Sequence, residues 1–116
     1  MKHDTNAVRR VYTLCLRLLR DEAAARMLCA EALRADEPLR AAVQLCLARE
    51  TREGSFTVAG TEGAILALPF RQRLALLLID RYGIPAETAA LWAGISAAEL
   101  IRLDYAARLA LAKGTL

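Results

Sequence analysis

The side chains that could carry out catalysis are few and scattered. The single histidine, His3, lies near the N-terminus, where chain ends fray, and no hydroxyl group is placed to use it as a base. Thr13, Ser55 and Ser96 also lack an activating base nearby in the sequence. The carboxylates fit solvated helix faces and caps, and no phosphate-binding glycine loop or zinc-ligand cluster is present. We therefore expect neither an enzyme nor a cofactor or metal site.

The cysteines and the apolar runs bear on the location of the chain. Cys15, Cys29 and Cys46 are odd in number and widely spaced, whereas disulfide frameworks and metal sites show even numbers or tight pairs. We predict that they are small apolar core residues in a reducing cytosol. The longest apolar run, LALLLI at 74–79, is too short to cross a bilayer, and no signal peptide is evident. The expected location is cytoplasmic.

Arginine is the residue type with the most evident binding chemistry. The chain of 116 residues has 16 basic and 13 acidic side chains, and all the basic ones except Lys2 and Lys113 are arginine. Arginine binds phosphate and guanine, but it also forms ion pairs on helix surfaces. Five cations near the C-terminus could reach nucleic acid: Arg71, Arg73, Arg102, Arg108 and Lys113. So few cations predict a non-specific DNA affinity near the weak end, roughly 10⁻⁴ M.

Composition and periodicity predict an all-α fold. Hydrophobic residues make up 56% of the chain and aromatic residues only 5%, so alanine and leucine, which favour helix, must supply the core. A first helix is capped by Asp4 or Thr5, a second begins at Asp21, and a third begins at the Asp36-Glu37-Pro38 signal. The first helix has its predicted apolar stripe at Val8, Val11, Leu14, Cys15, Leu18 and Leu19, and the third has its own at Leu39, Ala42, Val43, Cys46 and Leu47.

Glycine and proline divide the chain into two parts. Residues 53–63, EGSFTVAGTEG, hold three of the six glycines and lack helical periodicity. We therefore predict an N-terminal three-helix segment at 1–53, a linker at 54–63 and a second helical domain at 64–116. In the second part, a short helix runs from Thr61 to Leu68, and about three more follow, separated by Pro69, by Gly83 with Pro85, and by Gly94.

Residues 86–103, AETAALWAGISAAELIRL, have the pattern of a helix-turn-helix. Two helices that cross steeply over a short turn need a small residue at the crossing, here Ala90, and a glycine in the turn, here Gly94. Ser96 is a helix N-cap, and Glu99 three residues later completes a capping box. The inner faces are predicted to be held by Ala89, Ala93, Ile95, Leu100 and Leu103. The pattern in full register favours this motif over an ordinary helical hairpin.

Residues 66–111 resemble region 4 of sigma-70-type RNA polymerase sigma factors, especially the small extracytoplasmic-function branch. The resemblance is carried by Leu68-Pro69-Phe70-Arg71-Gln72-Arg73 and by Gly94-Ile95-Ser96. Residues 11–50 look like a shortened, degenerate region 2. The resemblance implies an all-helical bacterial protein that works beside RNA polymerase in transcription regulation.

The chain departs from that family where the family binds DNA. Typical members carry several basic residues on the recognition helix, whereas here Arg102 alone has the charge and reach for a guanine contact. The sequence is equally consistent with two roles for Arg102, a contact with a base and an ion pair with Glu99. The predicted DNA-binding residues are Arg71, Arg73, Ser96, Ala97, Ile101, Arg102, Tyr105 and Arg108. Ala98 is also predicted to face the groove, with Asp104 beside these residues. No aromatic residue lies between Tyr12 and Phe56, so we do not expect this part to melt promoter DNA.

Two functions fit these observations. The first is a sigma-70-like helix-turn-helix factor that associates with promoter DNA, with RNA polymerase or with both. The second is a sigma-mimicking protein-interaction module without specific DNA readout, which offers Ile101, Leu103, Tyr105 and the alanine surface to its partner. The expected partners are DNA, bound weakly or moderately, RNA polymerase or an anti-sigma-like protein, and a second copy of the chain. We expect no membrane and no small-molecule substrate. The resemblance favours the first function, whereas the high apolar content and weakly basic recognition helix favour the second.

Overall fold

Every element of the described part of the chain is helical. The computed structural model describes residues 5–50 and 60–114, with the side chains of 60–62 and 114 left aside. Within these ranges lie seven α-helices and one π-helical turn, which confirms the predicted all-α class. The chain divides into two compact units, Met1–Phe56 and Thr57–Leu116, called unit 1 and unit 2 below. Residues 51–59 lie outside the described residues and include most of the linker predicted at 54–63. A helix begins within the last part of that linker, at Gly60.

The described part of unit 1 contains three helices that each pack against the other two: α1 (Thr5–Leu19), α2 (Glu22–Ala32) and α3 (Pro38–Leu47). Its core comes from α1 at Val11, Leu14, Cys15, Leu18 and Leu19, from α2 at Ala24, Ala25, Leu28, Cys29 and Ala32, and from α3 at Ala42, Val43 and Cys46. The predicted stripes were wrong at their ends. Val8 is 37% exposed, and Leu39 and Leu47 are half-buried, because the three helices do not cover one another over their full lengths.

Local chemistry explains where α2 and α3 begin. Arg20 has a left-handed φ of 55°, which turns the chain between α1 and α2. The Asp21 carboxylate then accepts a hydrogen bond of 3.2 Å from the Ala24 amide, so the predicted N-cap is confirmed. Pro38 is at the start of α3, as predicted, and Glu37 precedes it without a side-chain cap.

Unit 2 is built around its last helix. It contains α4 (Gly60–Leu66), α5 (Phe70–Leu76), a π-helical turn at Leu77–Arg81 that continues α5, α6 (Ala86–Ala93) and α7 (Ala97–Gly114). Helix α7 contacts α4, α5 and α6. The most deeply buried apolar side chains are on α5, the π turn, α6 and α7: Leu74, Ala75, Leu77, Leu78, Ala89, Leu100 and Ala107.

In the π turn, which continues α5, a backbone hydrogen bond spans one residue more than in an α-helix. The Tyr82 amide donates to the Leu77 carbonyl at 2.9 Å, which is an i to i−5 bond. Gly83, with φ of +66°, then ends the helix, and Pro85 precedes α6. The turn contains Asp80, which forms an ion pair with α7, as described below.

The helix-turn-helix between α6 and α7 has the predicted register. Gly94 has φ of +74°, and a Cβ at this position would meet nothing within 4 Å, so the turn requires glycine for its backbone conformation rather than for space. The Ser96 hydroxyl accepts a hydrogen bond of 3.1 Å from the Glu99 amide, as an N-cap does. Ala89 and Leu100 are fully buried and Ala90 is 3% exposed. The other predicted inward residues are only half-buried: Ala93, Ile95 and Leu103.

Candidate functional site

The side of α7 that faces solvent is apolar at its centre. Ile101 is 53% exposed, Tyr105 is 66% exposed and Leu109 is 44% exposed, at spacings of one helical turn. Ala98 and Ala112 are exposed at the two ends of the same line. We call these five residues the α7 stripe. An exposed line of large apolar side chains on one helix is typical of surfaces that bind other proteins.

Two of the exposed apolar residues in unit 2 were not anticipated. Leu109 is one turn beyond Tyr105, so its four-residue spacing was the signal that could have identified it. Leu91, on α6, is 68% exposed. The sequence gives no signal for this exposure. Leu91 follows Ala89 and Ala90, and an apolar residue in an alanine-rich helix is normally predicted to be buried in the core.

Arg102 forms the ion pair that competes with a base contact. Its guanidinium lies 3.5 Å from the Glu99 carboxylate, one turn away on α7, and the two side chains are 71% and 45% exposed. An exposed i, i+3 pair contributes only a few tenths of a kcal/mol. Arg102 can therefore exchange this partner for another anion, but in the structure its charge is paired.

Arg108 is held by two carboxylates from different elements. Its Nε donates to Asp80 Oδ2 in the π turn at 3.0 Å, a second guanidinium nitrogen contacts the other Asp80 oxygen, and Nε lies 3.1 Å from Asp104 Oδ2. Asp104 was expected beside the groove-facing residues, and this expectation is wrong: its side chain is buried, with the residue 7% exposed. Arg108 therefore ties α7 to the π turn and is partly neutralised for DNA binding.

Asp80 and Asp104 form a carboxyl pair with opposite pKa shifts. Burial, the hydrogen bond with Asp80 and the repulsion from its charge raise the pKa of Asp104 to about 6. Burial raises the pKa of Asp80 as well. The hydrogen bonds with Arg108 and Asp104 have the larger combined effect, so the pKa of Asp80 is lowered. Below about pH 6, Asp104 is therefore mostly protonated.

The raised pKa predicts a pH-dependent stability that Asp104→Asn should remove. A carboxyl group whose pKa is higher when folded stabilises the fold below its unfolded pKa, and this contribution is lost as the pH rises through about 6. We expect the free energy of unfolding of the parent to fall by about 2 kcal/mol from this group between pH 4 and pH 7. Urea melts at several pH values measure the slope. Parallel pH profiles for the parent and the Asn variant would contradict the prediction.

Arg73 was predicted to contact phosphate, and the structure corrects this. The residue is fully buried in unit 2, and one guanidinium nitrogen donates to the Leu66 carbonyl at 3.2 Å and to the Leu68 carbonyl at 2.6 Å. Its guanidinium also lies 5.6 Å from the centre of the Phe70 ring. Because the guanidinium is enclosed and already holds two carbonyl groups, Arg73 cannot reach DNA and acts in the fold.

The remaining predicted DNA-binding residues lie at the surface or near it. Arg71 is exposed on α5, Ser96 is exposed in the turn, and Ala97 is half-buried at the start of α7. The structure therefore brings Ile101, Arg102 and Tyr105 together with Arg108 on α7, and removes Arg73 from the set. The surface that results is a line of apolar side chains flanked by arginines that carboxylates already hold.

The cysteines of unit 1 are buried, as predicted. All three are free thiols, one on each helix. The thiols of Cys15 and Cys46 form a hydrogen bond with each other, and this bond together with burial raises the pKa of Cys46. Burial likewise raises the pKa of Cys29, whose Sγ lies 4.0 Å from the Val8 carbonyl. Cys29 and Cys46 therefore stay protonated, and all three buried cysteines act as small core residues.

No family model, no curated protein and no solved structure matches this chain. Within the described residues no helix is both long and apolar enough to cross a bilayer. The described part also contains no group of three or more Cys, His, Asp or Glu side chains arranged to hold a metal ion. The resemblance to sigma region 4 therefore stays a prediction from the sequence.

Proposed function

We propose that the chain is a cytoplasmic, sigma-70-like regulator of transcription whose helix-turn-helix serves as a protein-interaction module. The observation that carries the proposal is the character of the α7 surface. Ile101, Tyr105 and Leu109 form an exposed apolar line, whereas three of the four arginines predicted for DNA are buried or paired with carboxylates: Arg73, Arg102 and Arg108. A binding surface of this kind gains its free energy from apolar burial rather than from the release of counterions.

The partner expected from the sequence resemblance is RNA polymerase or an anti-sigma-like protein. Aromatic anchors dominate the binding energy of many interfaces, and Tyr105 is the most exposed large side chain at the centre of the α7 stripe. Arg102 and Lys113 flank the stripe, so a partner with an apolar groove and an acidic rim would fit it.

Retention of the full chain on immobilised RNA polymerase tests this proposal. We expect Tyr105→Asp to abolish retention, because the substitution introduces a charge at the centre of the apolar contact. Met27→Asp is the matched control: Met27 is 56% exposed but lies on α2 in unit 1, and this variant should bind like the parent. Equal binding by both variants, or no binding by the parent, would refute the proposal.

Promoter association is the second candidate, and the exposure of Arg102 favours it. A side chain that is 71% exposed and pairs at 3.5 Å with another surface group can turn to a phosphate or a guanine at little cost. If this candidate is right, the affinity of the chain for duplex DNA should fall steeply between about 50 and 200 mM salt.

Arg102→Ala separates the two candidates. We expect the variant to keep its stability within about 0.5 kcal/mol, because it removes only an exposed ion pair. We also expect its retention on RNA polymerase to be nearly unchanged. Electrophoretic mobility shifts over a salt series measure DNA binding by the parent and the variant. Salt-sensitive binding by the parent that Arg102→Ala weakens about tenfold would replace the protein-interaction proposal by promoter association.

A further inference from the structure

The α7 stripe is symmetrical in sequence about Tyr105. Its members are Ala98, Ile101, Tyr105, Leu109 and Ala112, separated by three, four, four and three residues. Their sizes read small, large, aromatic, large, small in both directions. At 3.6 residues per turn, all five side chains point within about 40° of the direction of Tyr105. All five are exposed.

We infer that the α7 stripe binds a second copy of the chain, with the two α7 helices antiparallel and a two-fold axis passing between the two Tyr105 residues. The inference rests on the proposed use of this surface for protein binding and adds a second copy of the chain as a partner. A two-fold interface requires a patch that is complementary to itself, and a stripe that reads alike in both directions has this property.

The two-fold axis fixes which side chains meet. Each residue faces the residue equally far on the other side of Tyr105, so Ile101 of one copy packs against Leu109 of the other. Ala98 faces Ala112, and this pair of small residues lets the helix ends approach closely. The two Tyr105 rings meet at the centre, where aromatic pairs add to the free energy of burial.

Charge complementarity favours the antiparallel arrangement over the parallel one. Glu99 lies in the first turn of α7 and Lys113 in the last, and both project from the same flank of the stripe. An antiparallel pair places Glu99 of each copy near Lys113 of the other, whereas a parallel pair leaves these opposite charges about 21 Å apart along the helices. The antiparallel pair also opposes the two helix dipoles, which is favourable.

The contact is small for a permanent dimer. Helix α7 has 18 residues, about 27 Å in length, and the contact uses only one of its faces. An interface of this size is typical of weak association, so we expect a dimer dissociation constant on the order of 10 µM. The same face cannot contact a second copy and another protein at once, so dimerisation competes with the proposed binding of polymerase.

Sedimentation equilibrium of the full chain tests the inference directly. We expect the parent to shift from monomer to dimer between about 1 and about 200 µM, and Tyr105→Asp to raise the dissociation constant at least about 30-fold. Met27→Asp should dimerise like the parent, because Met27 is on α2. Circular dichroism should show that both variants are folded, since both positions are exposed. A parent that stays monomeric at the highest concentration would overturn the inference.

Disulfide cross-linking tests the register and the direction of the helices. The native cysteines are buried, so in the folded protein oxidised glutathione should cross-link only an introduced surface cysteine. We expect Tyr105→Cys to form a covalent dimer with itself, and Ile101→Cys to cross-link with Leu109→Cys but not with itself. The parent should form no covalent dimer. Self-cross-linking of Ile101→Cys would indicate parallel helices and overturn the inference.

The outcomes distinguish this inference from the proposed function. A monomeric parent that still loses polymerase binding on Tyr105→Asp would remove the dimer and leave the proposed function intact. A dimer that cross-links through Tyr105→Cys, in a chain that polymerase does not retain, would support the dimer and remove the proposed function.

Discussion

Leu100→Asp is expected to unfold unit 2. Leu100 is fully buried between α7 and the rest of this unit, four residues after the Ser96 cap. The substitution removes a large apolar side chain and leaves a carboxylate without a partner in the core, so we expect it to cost about 4 kcal/mol or more. A small domain has only about 5 kcal/mol of stability to lose. The helical circular dichroism signal should therefore fall by the share that α4 to α7 contribute.

Ile101→Asp is the matched control for this prediction. It makes the same chemical change one residue along α7, but at a side chain that is 53% exposed. Measured at low micromolar concentration, the variant should melt within a few degrees of the parent, because an exposed carboxylate keeps its water. If both variants melted like the parent, the register of α6 and α7 would be wrong. If both unfolded, the exposure of the α7 stripe would be wrong.

The elements that follow from nearest neighbours in the sequence could be predicted. The Asp21 and Ser96 caps, the glycine turn at Gly94 and the boundary at Pro38 each depend on residues within about four positions, so local chemistry determines them. The buried line on α1 also follows from periodicity, because one face of an amphipathic helix must meet the core. Val8 shows the limit: periodicity does not say how far the neighbouring helices extend.

The roles of the charged residues could not be predicted, because they depend on contacts between distant segments. Arg71 and Arg73 are two residues apart on one helix and differ by about 200° in direction, so one is exposed and the other buried. Which of them is inside depends on the packing of unit 2. In the same way, Asp80 and Arg108 are 28 residues apart and meet only because the π turn lies against α7. The DNA-binding set predicted from charge alone therefore included a residue that belongs to the core.

Arg73→Ala is expected to destabilise unit 2 by about 3 kcal/mol. The carbonyl groups at the end of a helix lack partners within it, and the Arg73 guanidinium supplies a donor to Leu66, the last residue of α4, and to Leu68 just beyond it. A cation near a helix C-terminus is also favourable to the helix dipole. The substitution removes these donors and leaves a cavity where the fully buried side chain was. Urea denaturation of the full chain measures the loss.

Two further variants separate the hydrogen bonds from the volume. Arg73→Met keeps most of the aliphatic bulk but leaves the Leu66 and Leu68 carbonyls without this donor, so we expect it to cost about 2 kcal/mol. Arg71→Ala removes an arginine from the exposed side of the same helix and should change stability by less than about 0.5 kcal/mol. A Met variant as stable as the parent would mean that burying the guanidinium costs as much as its hydrogen bonds contribute, as happens for some buried ions. In that case Arg73 would fill space in unit 2 without holding α4 against α5.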